Sequence, residues 1–123
     1  MTTDHALEIV RRYHRGWTRR NYREAIELLA PNLIVEVPIN EYPTKESFAD
    51  ALRNFGELVT DLDLLSELSA GNEAMLLYDM QVAQLGPLRV VEHFTVADGQ
   101  ITRLRQIHDT APVRTWMSAG AEA

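Results

Sequence analysis

Residues 88–109 have the sequence LRVVEHFTVADGQITRLRQIHD, in which apolar and polar residues alternate on both sides of Asp98-Gly99. An Asp-Gly pair between two alternating runs is a strong signal for a tight β-hairpin, because both turn positions favour residues that tolerate a positive φ. We therefore predict two antiparallel strands, one over about 88–97 and one over about 100–109.

Two further strands are predicted upstream of this hairpin. Alternating apolar residues indicate one strand around 62–68, which Gly71-Asn72 closes, and another over about 74–84, which Gly86-Pro87 closes. Strands joined by such short turns pair as antiparallel neighbours. The second half of the chain is therefore expected to be a meander.

The first half of the chain is predicted to be mainly helical. Apolar residues recur at helical spacing over about 4–19, and a short second helix is expected to end at Pro31. A β-branched strand over 33–37 follows, and Thr44 can then cap a third helix. The last residues, about 113–123, are expected to be a loose tail.

This order of elements predicts an α+β fold in a single domain over 1–123, with its core at about 4–112. The chain has 123 residues, of which 46% are apolar and 24% charged, and this composition fits one compact domain with a sizeable core. Three N-terminal helices are expected to pack on an antiparallel or mixed sheet that curls around the first helix.

The composition excludes several classes of protein and of site. With 18 acidic and 12 basic residues the net charge is −6, which repels a phosphate backbone, so no nucleic-acid partner is expected. One basic cluster falls on the first two helices, where a solvated helix face is favoured over nucleic-acid contact. Its members are Arg11, Arg12, Arg15, Arg19, Arg20 and Arg23. Without cysteine there are no disulfides, no thiolate metal ligands and no cysteine nucleophile.

The sequence predicts no membrane segment and a cytoplasmic location. Its longest apolar runs are a few residues, far short of a bilayer span. The N-terminal residues Met1 to His5 lack the basic-then-apolar pattern of a secretion signal.

Several segments resemble a known family. Residues 12–38, from Arg12-Tyr13 to Val37-Pro38, resemble the start of bacterial ketosteroid isomerases, and Glu92-His93-Phe94 continues the match. The hairpin from Val96 onward is similar to SnoaL-like polyketide cyclases. This resemblance implies the nuclear transport factor 2-like fold, a cone-shaped roll of helices on a strongly curved sheet around one pocket. Because that superfamily hosts isomerases, cyclases, hydrolases, dehydratases and binding modules, the resemblance implies a fold rather than one reaction.

The resemblance also assigns candidate catalytic positions. In ketosteroid isomerases an aspartate base moves a proton, while a tyrosine and a protonated carboxylic acid hold the oxyanion. The resemblance places the tyrosine on Tyr13 and the acid on Glu92. The position of the base is occupied by Val37, which cannot accept a proton, so steroid isomerisation by that route is not expected.

Alternation along the strands predicts which other side chains share a pocket with Glu92. His108 is a candidate base, because imidazole titrates near neutral pH. The expected ligand contacts are Trp17, Val37, Phe55, Tyr78, Met80, Val82, Phe94, Leu104 and Gln106. His5, His14 and His93 are predicted to lie outside the pocket, and no metal site is expected.

The opposite phase of the same strands is predicted to face away from the pocket. It carries Val91, Thr95 and Ile107 among the charged residues Arg103, Arg105 and Asp109. A mixture of apolar and charged side chains suits a self-complementary interface. We therefore expect a homodimer through this face of the sheet.

Each candidate also has a purely structural interpretation. Tyr13 can be a core aromatic or form a structural hydrogen bond with Glu92. A buried acid must be paired, protonated or hydrogen-bonded, so Glu92 is harder to explain without a site. His108 can be a base, a stacking surface or a merely structural histidine, and Asp109 beside it can assist.

Two hypotheses about function follow. The first is a cofactor-independent enzyme in which His108 moves a proton while Tyr13 and Glu92 polarise a carbonyl or hydroxyl. The second is a non-catalytic binding or accessory dimerisation module, for which Val37 is the main evidence. In either case the apolar lining limits the ligand to a hydrophobic small molecule with one or two oxygens.

Overall fold

The computed structural model describes the backbone of residues 5–122 and the side chains of residues 5–118. In chain order its elements are α1 (His5–Thr18), α2 (Tyr22–Glu27), β1 (Leu29–Glu36), α3 (Lys45–Gly56), β2 (Val59–Ala70), β3 (Glu73–Val82), β4 (Gly86–Ala97), β5 (Gln100–His108) and α4 (Ala111–Glu122). No helix among these is long and apolar enough to cross a membrane.

The five strands form one open, mixed sheet in the order β1-β5-β4-β3-β2. β1 runs parallel to β5, and all other neighbours are antiparallel. An extra residue in β2, Leu65, shifts the register against β3, and an extra residue in β5, Thr102, shifts the register against β4. Such bulges bend a strand, and they curve this sheet around the helices. The predicted α+β fold with a curved mixed sheet is confirmed.

The predicted β4–β5 hairpin is also confirmed. Ala97 pairs with Gln100 across the turn, and the two turn residues both have positive φ, 53° at Asp98 and 76° at Gly99. Two consecutive turn residues with positive φ give the turn the twist that antiparallel strands need. The Asp-Gly pair therefore sets the register that brings the inner residues of β4 and β5 side by side.

Helix α1 lies against the inner face of the sheet and supplies much of the core. Val10, Tyr13 and Trp17 are buried on one side of it. Helix α2 packs closely on α1 because Gly16 has no side chain, and a Cβ added there would lie 3.2 Å from Ala25 Cβ. Arg11 ties the exposed side of α1 to β2 through hydrogen bonds of 2.6 and 3.0 Å to the Glu67 carboxylate.

Helix α3 begins as the sequence predicts, at a Thr44 cap. The Ser47 amide donates to Thr44 Oγ1 at 3.1 Å, and the Thr44 amide donates to Ser47 Oγ at 3.2 Å. This reciprocal pair satisfies amides that a helix start otherwise leaves without partners. Helix α3 packs against β1, α1 and α2.

Two predictions about the bounds of the helices were wrong. Residues 113–122 of the segment expected as a tail belong to a fourth helix, α4, and residue 123 lies outside the described residues. The first turn of α4 contains Pro112 and is preceded by the capping carboxylate of Asp109. The second helix ends at Glu27, and Pro31 lies within β1. β1 is an edge strand, and an edge tolerates a residue without an amide donor.

His14 is a buried polar residue on the side of α1 that faces β2 and β3. It is 6% exposed, its ring lies 4.9 Å from the ring of Tyr78, and neither ring nitrogen has a hydrogen-bond partner among the described residues. Burial lowers the pKa of His14 from 6.5 to about 4, although the Glu67 carboxylate attracts its proton. His14 is therefore neutral at pH 7.

We expect His14→Phe to make the protein less sensitive to acid than the wild type. The pKa of His14 is lower in the folded protein than in the unfolded chain. As the pH falls from 6.5 towards 4, His14 therefore binds a proton in the unfolded chain but not in the native protein, and this favours unfolding. Relative to the variant, the wild type should lose up to about 3 kcal/mol of unfolding free energy across that window. Urea unfolding at several pH values measures this difference. The exposed His5→Ala is the control and should follow the wild type; parallel pH profiles of wild type and His14→Phe would contradict the assignment.

Candidate functional site

A cavity of about 260 Å³ lies between the inner face of the sheet, the helices and the β1–α3 loop. Its volume is near the lower end of the range for small-molecule sites. The expected residues that line it from the sheet are Tyr78, Met80, Val82, Glu92, Gln106 and His108. Those that line it from the helices and the loop after β1 are Tyr13, Trp17, Val37 and Phe55.

Two expected ligand contacts do not line the cavity. Phe94 and Leu104 are fully buried and pair with each other across β4 and β5, on the same face as Glu92. Strand alternation predicted their face correctly, but α1 covers that end of the sheet, and the ring of Tyr13 packs edge-on against Phe94 at 5.8 Å. They are core residues, and the earlier expectation is corrected.

Other lining residues were missed by the sequence analysis. The β1–α3 loop contributes Asn40 and Tyr42, and α4 contributes Val113, Trp116 and Met117. A loop gives no periodic pattern from which an inward side chain can be predicted. For α4 a signal existed, because an Asp-Thr pair followed by proline is typical of a helix start.

Glu92 is the central polar residue of the cavity. It lies on β4, is 1% exposed, and pairs with Gln106 on the neighbouring strand β5. Tyr78 Oη donates a hydrogen bond of 2.9 Å to Oε1, and Gln106 Nε2 donates one of 2.8 Å to Oε2. Burial raises the pKa of Glu92 from 4.5 to about 7, even though both hydrogen bonds favour the charged form. The carboxyl group is therefore protonated in a large share of molecules at neutral pH.

The donors to this acid differ from the structural interpretation, in which Tyr13 forms a hydrogen bond with Glu92. Among the described residues, Glu92 receives its hydrogen bonds from Tyr78 and Gln106 rather than from Tyr13. Tyr13 is 1% exposed and lines the cavity, and burial together with the nearby Glu92 raises its pKa well above 10. Its hydroxyl thus stays protonated, which keeps it a potential donor to a ligand.

His108 ends β5 and lines the same cavity. Its Nδ1 lies 3.0 Å from the backbone oxygen of Asp109. A carbonyl oxygen only accepts, so Nδ1 carries the proton and Nε2 is the basic nitrogen. The Asp109 side chain caps the following helix, because Oδ1 accepts the amide of Ala111 at 3.0 Å.

Glu92 and His108 are diagonal neighbours on adjacent strands, since Glu92 pairs with Gln106 and His108 pairs with Val90. Diagonal neighbours of this kind have Cα atoms roughly 7–8 Å apart. The separation leaves room for part of a ligand between an acid and a base. Val37, at the position of the isomerase base, contributes only an apolar surface to the wall.

The described residues that line the cavity include no lysine or arginine. Likewise, no three His, Asp or Glu side chains in the described part of the chain converge as a metal site would require. The chemical groups that the cavity offers a ligand therefore include the Glu92 carboxyl, the His108 imidazole, three tyrosine hydroxyls, side-chain amides and aromatic walls.

Comparison with solved structures places the chain among proteins of the same shape. A protein from Kribbella flavida is 28% identical, with a TM-score of 0.88 over 98% of this chain and 99% of that one. An LEH-like epoxide hydrolase from M. tuberculosis is 18% identical, with a TM-score of 0.74 over 98% and 95% of the two chains. A putative polyketide cyclase from Sinorhizobium meliloti is 20% identical, with a TM-score of 0.72 over 81% and 94%.

No curated protein matches the sequence. The family model of the SnoaL-like domain matches residues 10–104, a span that runs from α1 to β5 and contains Tyr13 and Glu92. The chain therefore belongs to the SnoaL-like family, within the nuclear transport factor 2-like superfamily.

Proposed function

We propose that the cavity binds a hydrophobic, oxygen-bearing small molecule and that the protein moves a proton on it without a cofactor. The observation that carries this proposal is Glu92, an almost completely buried acid with a pKa of about 7 in the same cavity as His108. Perturbed acids in clefts are frequent at catalytic sites, because acid and base catalysis needs groups that titrate near the working pH.

The geometry gives each group a separate role. Tyr78 and Gln106 each occupy one oxygen of Glu92, which fixes the carboxyl plane while leaving its proton free to reach a ligand oxygen. Tyr13 is a second donor from α1. His108 Nε2 accepts a proton from a carbon next to that oxygen, so the base acts from β5 instead of from the position of Val37.

The names of two structural neighbours are compatible with this proposal. One is named as an epoxide hydrolase and one as a putative polyketide cyclase, and both act, by those names, on oxygenated organic molecules. At 18% and 20% identity these likenesses show the fold alone. The proposal therefore depends on the residues of this cavity.

We expect the protein to catalyse exchange of the α-protons of 2-tetralone, a small hydrophobic ketone, in D2O. His108 removes the proton from carbon, Glu92 protonates the oxygen, and a deuteron returns to carbon when the enol collapses. His108→Gln should lower the rate on the order of a hundredfold, because it removes the base. Proton NMR of the ketone measures the exchange, and His5→Gln is the control.

A second candidate function is favoured by Val37. An apolar side chain at the position of the isomerase base suits a protein that keeps the pocket and has no chemistry. Such a binding module would bind 2-tetralone, as measured by ligand-observed NMR, but the α-protons of the ketone would exchange no faster than in buffer alone. That result would replace the enzymatic proposal with the binding module.

The raised pKa of Glu92 predicts a stability loss at rising pH. The Glu92 carboxyl holds its proton more tightly in the native protein than in the unfolded chain. This contribution to the free energy of unfolding is complete below pH 4.5 and is lost as the pH rises to about 7. Glu92→Gln should remove up to about 3 kcal/mol of this pH dependence. The exposed Glu41→Gln is the matched control. A carboxyl ¹³C titration of Glu92 with its midpoint near 4.5 would refute the assignment.

We further propose that the outer face of the sheet, which points away from α1, binds a second copy of the chain. Leu77, Val91 and Ile107 form an apolar row across β3, β4 and β5, and Ile107 is 69% exposed. Ion pairs flank this row, including Asp79 with Arg89 at 2.6 Å. An apolar centre with a charged rim is typical of a protein interface.

Ile107→Glu should convert a dimer into a monomer, because two buried carboxylates would face one another across a symmetric contact. Light scattering at micromolar concentrations measures the mass. Ile107→Val, which keeps the apolar surface, is the control and should remain dimeric. A monomeric wild type under the same conditions would eliminate this interface.

A further inference from the structure

Helix α4 forms one wall of the cavity yet is attached to the domain at few points. Val113, Trp116 and Met117 line the cavity from this helix. None of the described α4 side chains, which end at Ser118, is buried, and Trp116 and Met117 are 36% and 44% exposed. Elements with little buried apolar surface open at low free-energy cost. The position of α4 therefore depends on a few specific contacts.

Hydrogen bonds at its start and in its middle hold the helix. At its start, Asp109 Oδ1 accepts the Ala111 amide at 3.0 Å. The Arg114 amide then donates to the Thr110 carbonyl at 2.9 Å, which closes the first turn. In its middle, Trp116 Nε1 donates to Gln84 Oε1 at 3.3 Å, on the turn between β3 and β4.

Asp109 also contacts the neighbouring imidazole. Its backbone oxygen lies 3.0 Å from His108 Nδ1, and this contact keeps the proton on Nδ1 and leaves Nε2 basic. The carboxylate of Asp109 thus holds α4, while its carbonyl holds His108. Because both groups belong to one residue, a rotation of its backbone changes both contacts together.

We propose that Asp109 is a positioning residue that couples the seating of α4 against the cavity to the orientation and tautomer of His108. The inference rests on the proposed function, in which His108 is the base. With α4 seated, Nε2 is available towards the cavity and the wall is complete. With α4 displaced, the carbonyl of Asp109 no longer holds Nδ1, and the base loses its single tautomer.

Two measurements without ligand test this coupling. Amide hydrogen exchange at Arg114 reports the seating of α4, and ¹⁵N NMR of the His108 ring reports its tautomer; His108→Gln assigns those ring signals. Asp109→Ala, which removes the carboxylate and keeps the carbonyl, should speed Arg114 exchange roughly three- to tenfold and produce a mixture of His108 tautomers. Asp109→Asn keeps an oxygen acceptor for the Ala111 amide and should behave as the wild type.

A variant in the middle of α4 tests the same coupling away from Asp109. Trp116→Phe keeps an aromatic wall but removes the hydrogen bond to Gln84, on the turn between β3 and β4. Coupling between sites is reciprocal, so this variant should also speed Arg114 exchange and mix the His108 tautomers. A variant that loosens α4 while His108 keeps one Nδ1-protonated tautomer would overturn the proposal, and so would Asp109→Ala with both readouts unchanged.

Neither readout requires turnover, so the inference and the proposed function can fail separately. If both signatures move together but 2-tetralone shows no catalysed exchange, the coupling stands and the enzymatic role of His108 is rejected. If 2-tetralone exchange depends on His108 while its tautomer ignores α4, the proposed function stands and Asp109 is only a helix cap.

Discussion

The buried carboxyl of Glu92 is the interaction on which the inner face of the sheet depends. An acid with 1% exposure is tolerated only when its oxygens are hydrogen-bonded, and here the donors come from the two flanking strands, Tyr78 on β3 and Gln106 on β5. This holds the side chains of three strands in one arrangement. Tyr78 in turn contacts the rings of His14 and Trp17 on α1, so the seat of that helix depends on the same hydrogen bonds.

Curvature divides one face of the sheet into two environments. Near the β4–β5 turn, α1 fills the space, and Phe94, Leu104 and Ile101 are completely buried in a packed core. Two residues further along the same strands, Glu92 and Gln106 face open volume instead. Polar groups are thus confined to the part of the face where a ligand can satisfy them. The core supplies stability, and the cavity can carry buried polar groups only because the core is complete beside it.

The sequence predicts those features that depend on local rules. The Asp98-Gly99 turn, the Thr44 cap and the alternation along β4 each depend on a few adjacent residues, and the structure confirms all three. What it could not predict depends on distant segments. Tyr78 reaches Glu92 from a neighbouring strand, diagonally, so the partner of the acid follows from sheet register. Phe94 does not line the cavity, because α1 covers it. The apolar stripe of α4 is weak, so in the sequence only the residues at its start, from Asp109 to Pro112, indicate a helix.

Under the proposed function, the acid Glu92 and the base His108 lie on different strands, and no base is needed at Val37. If a carboxylate base stood there, it would be one more charge to desolvate in an apolar cavity whose described lining has no cation to pair with it. Glu92 avoids that cost by holding a proton, because burial raises its pKa to about 7. In the proposed reaction a proton passes from a ligand carbon to His108, and the proton of Glu92 and the hydroxyl of Tyr13 then stabilise the oxygen that becomes negative.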